Sequence, residues 1–161
     1  MNTVSMEKIV DALRLAGLLV SQDDELPATI SGFVDDSRRV IDGAAFVAVH
    51  GHAQDGHDWL EAAASRGATC AIVEDPSRTL LPTLVVRDGR SAAAVAAAAF
   101  YDWPARELTL VGVTGTNGKT TTVGLLRHVL DSEASRSASI GTLGVLIGSA
   151  GVAFPGGDGL T

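Results

Sequence analysis

The sequence predicts an α/β fold in two parts: a small α/β domain over residues 1–104, then the first strand, glycine loop and helix of a truncated second α/β domain over 105–161. Three observations predict it. Helical and strand periodicities alternate along the first hundred residues. The segment WPARE at 103–107 separates that alternating pattern from the second part of the chain. Finally, a glycine-rich loop, GVTGTNGKTTT at 112–122, stands between a β-type apolar run and an amphipathic helix.

The elements are justified in chain order. Met6, Ile9, Val10, Leu13 and Ala16 recur at helical spacing, and Gly17 can end that helix. TISGFV (29–34) and AAFVAV (44–49) read as strands joined by the polar turn DDSRRVIDG. A helix from Asp58 stops at Gly67, and the apolar ATCAIVE (68–74) reads as a buried strand. PTLVVR (82–87) is another strand. Ser91 can cap the alanine-rich run to Trp103, and Pro104 blocks its continuation. LTLVGVT (108–114) reads as the strand that opens the second unit, and KTTTVGLLRHVLD as its helix, with Val123, Leu126 and Leu130 on one face. SASIGTLGVLIG (137–148) adds one or two strands. About 55 residues do not close a doubly wound domain, which needs roughly 100, so the second domain is expected to be incomplete.

Composition excludes several classes of function. A net charge of −7 with only 12 Lys and Arg gives no basic face for a nucleic-acid backbone. Any phosphate must be gripped locally. The single cysteine, Cys70, lies in an apolar run and reads as a small buried hydrophobe. The N-terminus carries acids among its apolar residues and no long apolar run, so neither a leader nor a membrane span is read there; the cytoplasm is the expected location.

The loop carries the clearest chemistry. The strict pattern G-x-x-x-x-G-K-[ST] fails, because Val113 stands where it needs glycine. Gly112, Gly115 and Gly118 remain, followed by Lys119 and Thr120. Glycines allow positive φ and close backbone approach, so successive N–H groups can face phosphate oxygens, and the adjoining helix adds its positive dipole end. Gly115, Thr116, Asn117, Gly118, Lys119, Thr120 and Thr121 are the candidate ATP-binding residues. Lys119 can reach the β and γ phosphates as the catalytic cation, and the Thr120 hydroxyl can ligate Mg²⁺.

TGTNGKTTT resembles the ATP loop of the Mur ligases, most closely the MurE type. The same loop shape recurs in folylpolyglutamate and cyanophycin synthetases. The N-terminal half narrows the choice: DSRRVIDGAAFVAVHGHAQDGHDWLEAAASRGA is similar to the MurE and MurF pattern of a DSR motif, a Phe-Val-Ala strand and a DGH turn, and SIGTLG extends the match. The resemblance implies a P-loop-type central ATPase domain and an N-terminal domain that holds a UDP-linked substrate, UDP-N-acetylmuramoyl-dipeptide. It assigns Ser37 and the loop residues His52, Ala53 and Gln54 to the UDP end, with Asp35 as a further contact at a position commonly apolar in the family. Thr161 matches the first threonine of a segment that contacts the sugar phosphate.

By the same resemblance, the full-length enzyme would use ATP and Mg²⁺ to join the third stem-peptide residue to the dipeptide. The acid that binds Mg²⁺, the carbamylated lysine and the C-terminal domain of the family have no counterpart here, so this chain alone is expected to be inactive. A MurF-like or cyanophycin-synthetase-like ligase and a noncatalytic nucleotide- or UDP-sugar-binding module remain as alternatives. His50, His52 and His57 beside Asp55 and Asp58 match no closed zinc spacing and read as a substrate loop or solvated turn. Trp59 and Trp103 read as packing residues and His128 as a surface residue.

Overall fold

The computed structural model of the chain describes residues 3–51 and 54–154. It divides into two compact units, Met1–Thr109 and Leu110–Thr161. The elements of the first are β1 (Val4–Ser5), α1 (Met6–Leu15), β2 (Leu19–Gln22), β3 (Thr29–Ile30), β4 (Gly32–Val34), β5 (Ala44–Val47), α2 (Leu60–Ser65), β6 (Ala68–Val73), β7 (Thr83–Val86) and α3 (Gly89–Phe100). Five strands form one sheet in the order β2-β7-β6-β5-β4; β4 to β7 run parallel, and β2 joins antiparallel at the edge. TISGFV is not one strand, because its two halves belong to different sheets: β3 pairs with β1, and β4 with β5.

Both faces of this sheet are covered, which is why β5 and β6 read as continuous apolar runs. Ala45, Val47, Cys70, Ile72, Leu84 and Val86 face α1 and α3, packing with Ile9, Leu13, Ala92, Ala96 and Ala99. The alternate residues Phe46, Ala71 and Val73 face α2 through Leu60 and Ala63. Full burial of Phe46 alone is worth roughly 1.5–3 kcal/mol. Burial pushes the Cys70 thiol up to about 12, so it is an inert core residue. Ala16, expected on the buried face of α1, caps the helix and is exposed.

α3 starts earlier than its sequence suggests. Asp88, not Ser91, is the cap: its carboxylate accepts from the Ser91 N–H at 2.6 Å. The helix stops at Phe100, where Asp102 and Trp103 take positive φ ahead of Pro104. Trp103 packs against the core, with the Arg106 guanidinium 4.6 Å from its ring centre. Trp59, by contrast, is 45% exposed and does not serve as a packing anchor.

The second unit contains α4 (Lys119–Leu130) and an antiparallel sheet of β8 (Ala138–Gly141), β9 (Gly144–Ile147) and β10 (Val152–Ala153). LTLVGVT, expected to be the opening strand, forms none. A strand needs a ladder partner to satisfy its N–H and C=O groups, and among the described residues none lies beside 108–114. Val123 and Leu126 are half-buried on α4, while Leu130 is exposed.

Candidate functional site

In the first unit the candidate residues collect where parallel strands end. β4 runs into Asp35, Asp36 and Ser37; β5 into the loop from Ala48 to Gly56; β6 into Glu74 and Asp75; and β7 into Asp88 and Gly89. Carboxyl ends of parallel strands are where open α/β sheets bind ligands, because the loops there converge while the strands fix their origins.

Ser37 opens a 3-10 turn (Ser37–Arg39) and is 6% exposed. Asp36 caps that turn by accepting the Arg38 N–H at 2.9 Å, and the Arg38 guanidinium lies beside the same carboxylate. These bonds, the side-chain one foremost, hold the Asp36 carboxyl down at about 2. Among the described residues the Ser37 hydroxyl has no hydrogen-bond partner, so it is the uncommitted polar group of the turn. Asp35 is exposed beside it.

The loop after β5 folds back on itself. The Gly56 N–H donates to Val49 O at 2.9 Å, His50 and Asp55 form an antiparallel bridge, and the Gly51 N–H donates to Gln54 O at 3.0 Å. Gly56 is required by crowding: a Cβ there would lie 2.6 Å from Val49 N. Gln54 is exposed on this loop, while His52, Ala53 and Thr161 lie outside the described residues.

Asp55 is the hub of this edge. One oxygen accepts from the His57 N–H at 3.0 Å and from His57 Nδ1 at 2.7 Å, with His50 Nδ1 at 3.1 Å; the other accepts from Arg78 Nη1 at 2.7 Å. Partial burial works to raise its pKa, but the hydrogen bonds from the His57 backbone and ring and from Arg78 overcome it and hold the carboxyl down at about 2. Arg78 also pairs with Asp58. Glu74 closes the edge, accepting the Gly89 N–H at 2.6 Å at the start of α3.

His57 is not part of a solvated turn: its side chain is fully buried. Its Nε2 accepts the Glu74 N–H at 3.1 Å, so that nitrogen carries no proton, and in the neutral ring the proton sits on Nδ1 facing Asp55. His50, Asp55 and His57 do come within metal-binding range of one another. The geometry nevertheless argues against an ion. Both His57 nitrogens are committed, and Asp55 is already neutralised by Arg78.

The glycine loop of the second unit has a different character. Gly115 and Gly118 have φ of +143° and +78°, and Gly118 is the N-cap of α4. Among the described residues no backbone N–H from Gly112 to Gly118 donates a hydrogen bond. Those amides, exposed at the dipole-positive end of a 12-residue helix, are chemically suited to an anion. Lys119 Nζ donates to Gly115 O and, at 3.3 Å, to Thr116 O, so the ammonium rests on the loop itself. Thr116, Asn117, Thr120 and Thr121 are exposed around it. The Asp55 hub, Glu74 and Arg78 escaped sequence reasoning; the DGH turn was their one visible trace.

Known protein families match two stretches of the chain. The family "Mur ligase family, catalytic domain" matches residues 29–101, and "Mur ligase middle domain" matches 113–156. The UDP-N-acetylmuramoyl-L-alanyl-D-glutamate--2,6-diaminopimelate ligase of Halalkalibacterium halodurans is 42% identical over 113 residues, covering 70% of this chain and 23% of that protein. Among solved structures, MurF from Acinetobacter baumannii superposes with a TM-score of 0.63 at 28% identity, over 81% of this chain and 28% of its own. MurF from Thermotoga maritima in complex with ADP gives 0.51 at 36% identity, over 61% and 22%. The chain thus spans about a quarter of the length of the relatives it matches. Among the described residues no helix is long and apolar enough to cross a membrane.

Proposed function

The chain belongs to the Mur ligase family, and from that premise we propose that it is the substrate-gripping part of a cytoplasmic, ATP-dependent amide ligase of peptidoglycan precursor synthesis. The first unit is the UDP-substrate-binding domain, and the second is the start of the central ATP-binding domain. The observation that carries the reading is the run of uncommitted amides from Gly112 to Gly118 at the head of α4, with Lys119 beside them.

In the proposed reaction, ATP transfers its γ-phosphoryl group to the free carboxylate of UDP-N-acetylmuramoyl-L-alanyl-D-glutamate and leaves as ADP. The amine of a diamino acid then attacks the acyl phosphate, phosphate departs, and an amide forms. Positioning and charge neutralisation dominate such chemistry. The loop amides of Gly115 to Gly118 hold the phosphate chain, and Lys119 leaves its loop carbonyls to neutralise the transferred group. Thr121 lines the same helix start. Thr120 offers the hydroxyl that would hold Mg²⁺, which when bound screens the phosphate charge. Ser37, Gln54 and Asp35, together with His52, Ala53 and Thr161, hold the UDP-linked substrate.

Most of each relative has no counterpart in these 161 residues, so the chain alone is proposed to bind without turnover. Titration calorimetry tests the reading: ATP binding should be lost in Lys119→Ala, and UDP-N-acetylmuramoyl-dipeptide binding should weaken in Ser37→Ala. Indifference of the second titration to Ser37 would remove the site assignment. Amide formation by the purified chain would contradict the proposed inactivity. The MurF structures among the neighbours favour a second reading, a MurF-like ligase, in which a UDP-muramoyl-tripeptide binds better than the dipeptide.

A further inference from the structure

We propose that His57 is a positioning residue for the nucleotide-sugar site: it ties the end of β6 to the loop after β5 and so fixes His50 and Gln54 for the UDP-linked substrate without touching that substrate itself. The inference rests on the substrate reading above and adds the device that orders the loop.

The loop has few means of its own to stay in place. Gly51 and Gln54 are exposed, and its described internal bonds are the Gly51–Gln54 and Gly56–Val49 pairs and the His50–Asp55 bridge. A hairpin this short is marginal in isolation. His57 supplies the missing anchorage. Its ring is buried against the sheet edge, Nε2 accepts the Glu74 N–H at 3.1 Å, and Nδ1 lies 2.7 Å from Asp55. Asp55 in turn holds His50, whose ring stacks on that of His57 with centroids 4.6 Å apart and whose Nε2 lies 3.6 Å from Glu74.

The two ends of one imidazole therefore join a strand terminus to the loop, and each end needs a different role: acceptor at Nε2, donor at Nδ1. No apolar side chain of the same volume can replace it, because the Glu74 N–H and the Asp55 carboxylate would each lose a partner. A residue that only filled space would not have this requirement.

The test uses the 161-residue chain with two readouts. Amide hydrogen exchange of Gly51 and Gly56 reports loop order, and calorimetric titration with UDP-N-acetylmuramoyl-dipeptide reports binding, with exchange at Ile72 in the sheet as the folding control. His57→Leu should speed exchange at both glycines about tenfold and weaken binding by a similar factor, while Ile72 stays protected. His57→Gln keeps an acceptor for the Glu74 N–H and should fall between Leu and wild type. If His57→Leu fails to fold, Asp55→Asn, which weakens the loop end of the same link, gives the same pair of measurements.

Unchanged exchange would overturn the inference, as would faster exchange with unchanged binding. Failure of the wild-type chain to bind the muramoyl substrate would instead count against the proposed function, with the exchange arm still deciding whether His57 orders the loop.

Discussion

Asp55 shows how much one carboxylate can organise. Its folded pKa of about 2 lies below the unfolded value near 4, so it binds fewer protons in the native state, and its contribution is present above about pH 4. As pH falls through about 2 the carboxylate protonates and that contribution is lost. Asp55→Asn should therefore be less stable than wild type at about pH 7, with the difference shrinking below about pH 4; urea midpoints measured across that range check it, and a constant gap would mean that charge is not the cause. Gly118 makes the complementary point about backbone. A Cβ there meets nothing within 4 Å, yet φ is +78°, so Gly118→Ala should cost roughly 1–2 kcal/mol through conformation alone. That is about five- to thirtyfold in ATP affinity if the loop must hold this shape. Gly112, also open and not at a left-handed φ, should tolerate alanine, and equal losses at the two positions would refute the distinction. The glycine loop was legible because its chemistry is written in consecutive residues. The Asp55 hub was not, since Arg78 and Glu74 reach it from distant parts of the chain.

Helix α3 shows the same division at the level of elements. Ala92, Ala96 and Ala99 are fully buried against α1 and the sheet, and small side chains permit that approach. Ala96→Leu should overpack the interface and cost about 1–3 kcal/mol, whereas Ala94→Leu, on the exposed side, should be near neutral; chemical denaturation of the two variants separates them. The alanine run looked helical from propensity alone, but its start was misplaced because Asp88 and Ser91 both qualify as caps and only geometry ranks them. The α1 face and the buried strands β5 and β6 were legible for a related reason, their apolar pattern being set by burial, periodic on the helix and continuous on the strands. β2 was missed because an edge strand with one half-buried and three exposed residues leaves almost no pattern. The LTLVGVT strand failed in the opposite sense: its composition favours a strand, but pairing is a property of neighbours and not of the segment.

Taken as a whole molecule, the two units differ in what holds them together. Among the described residues the buried hydrophobic side chains all lie in the first unit, from Met6 to Ala99, all but Ala44 in two clusters on opposite faces of one sheet. In the second, among the described residues, Gly148 alone is buried, and Leu110, Leu125, Val129, Ile140 and Leu143 are each more than 60% exposed. Its order comes instead from polar links: Asp131 accepts the Ser137 N–H at 3.0 Å and the Ser149 N–H at 2.7 Å, which hold its carboxyl down at about 2. A handful of such hydrogen bonds supplies far less than a shared apolar core does. Residues 1–109, expressed alone, should therefore fold and unfold cooperatively within a few degrees of the main transition of the whole chain, while the second unit should be cut first by protease. Scanning calorimetry of both chains and mass spectrometry of the digest give the outcome. A 1–109 chain that fails to fold would mean that the first unit draws its stability from beyond its own two clusters.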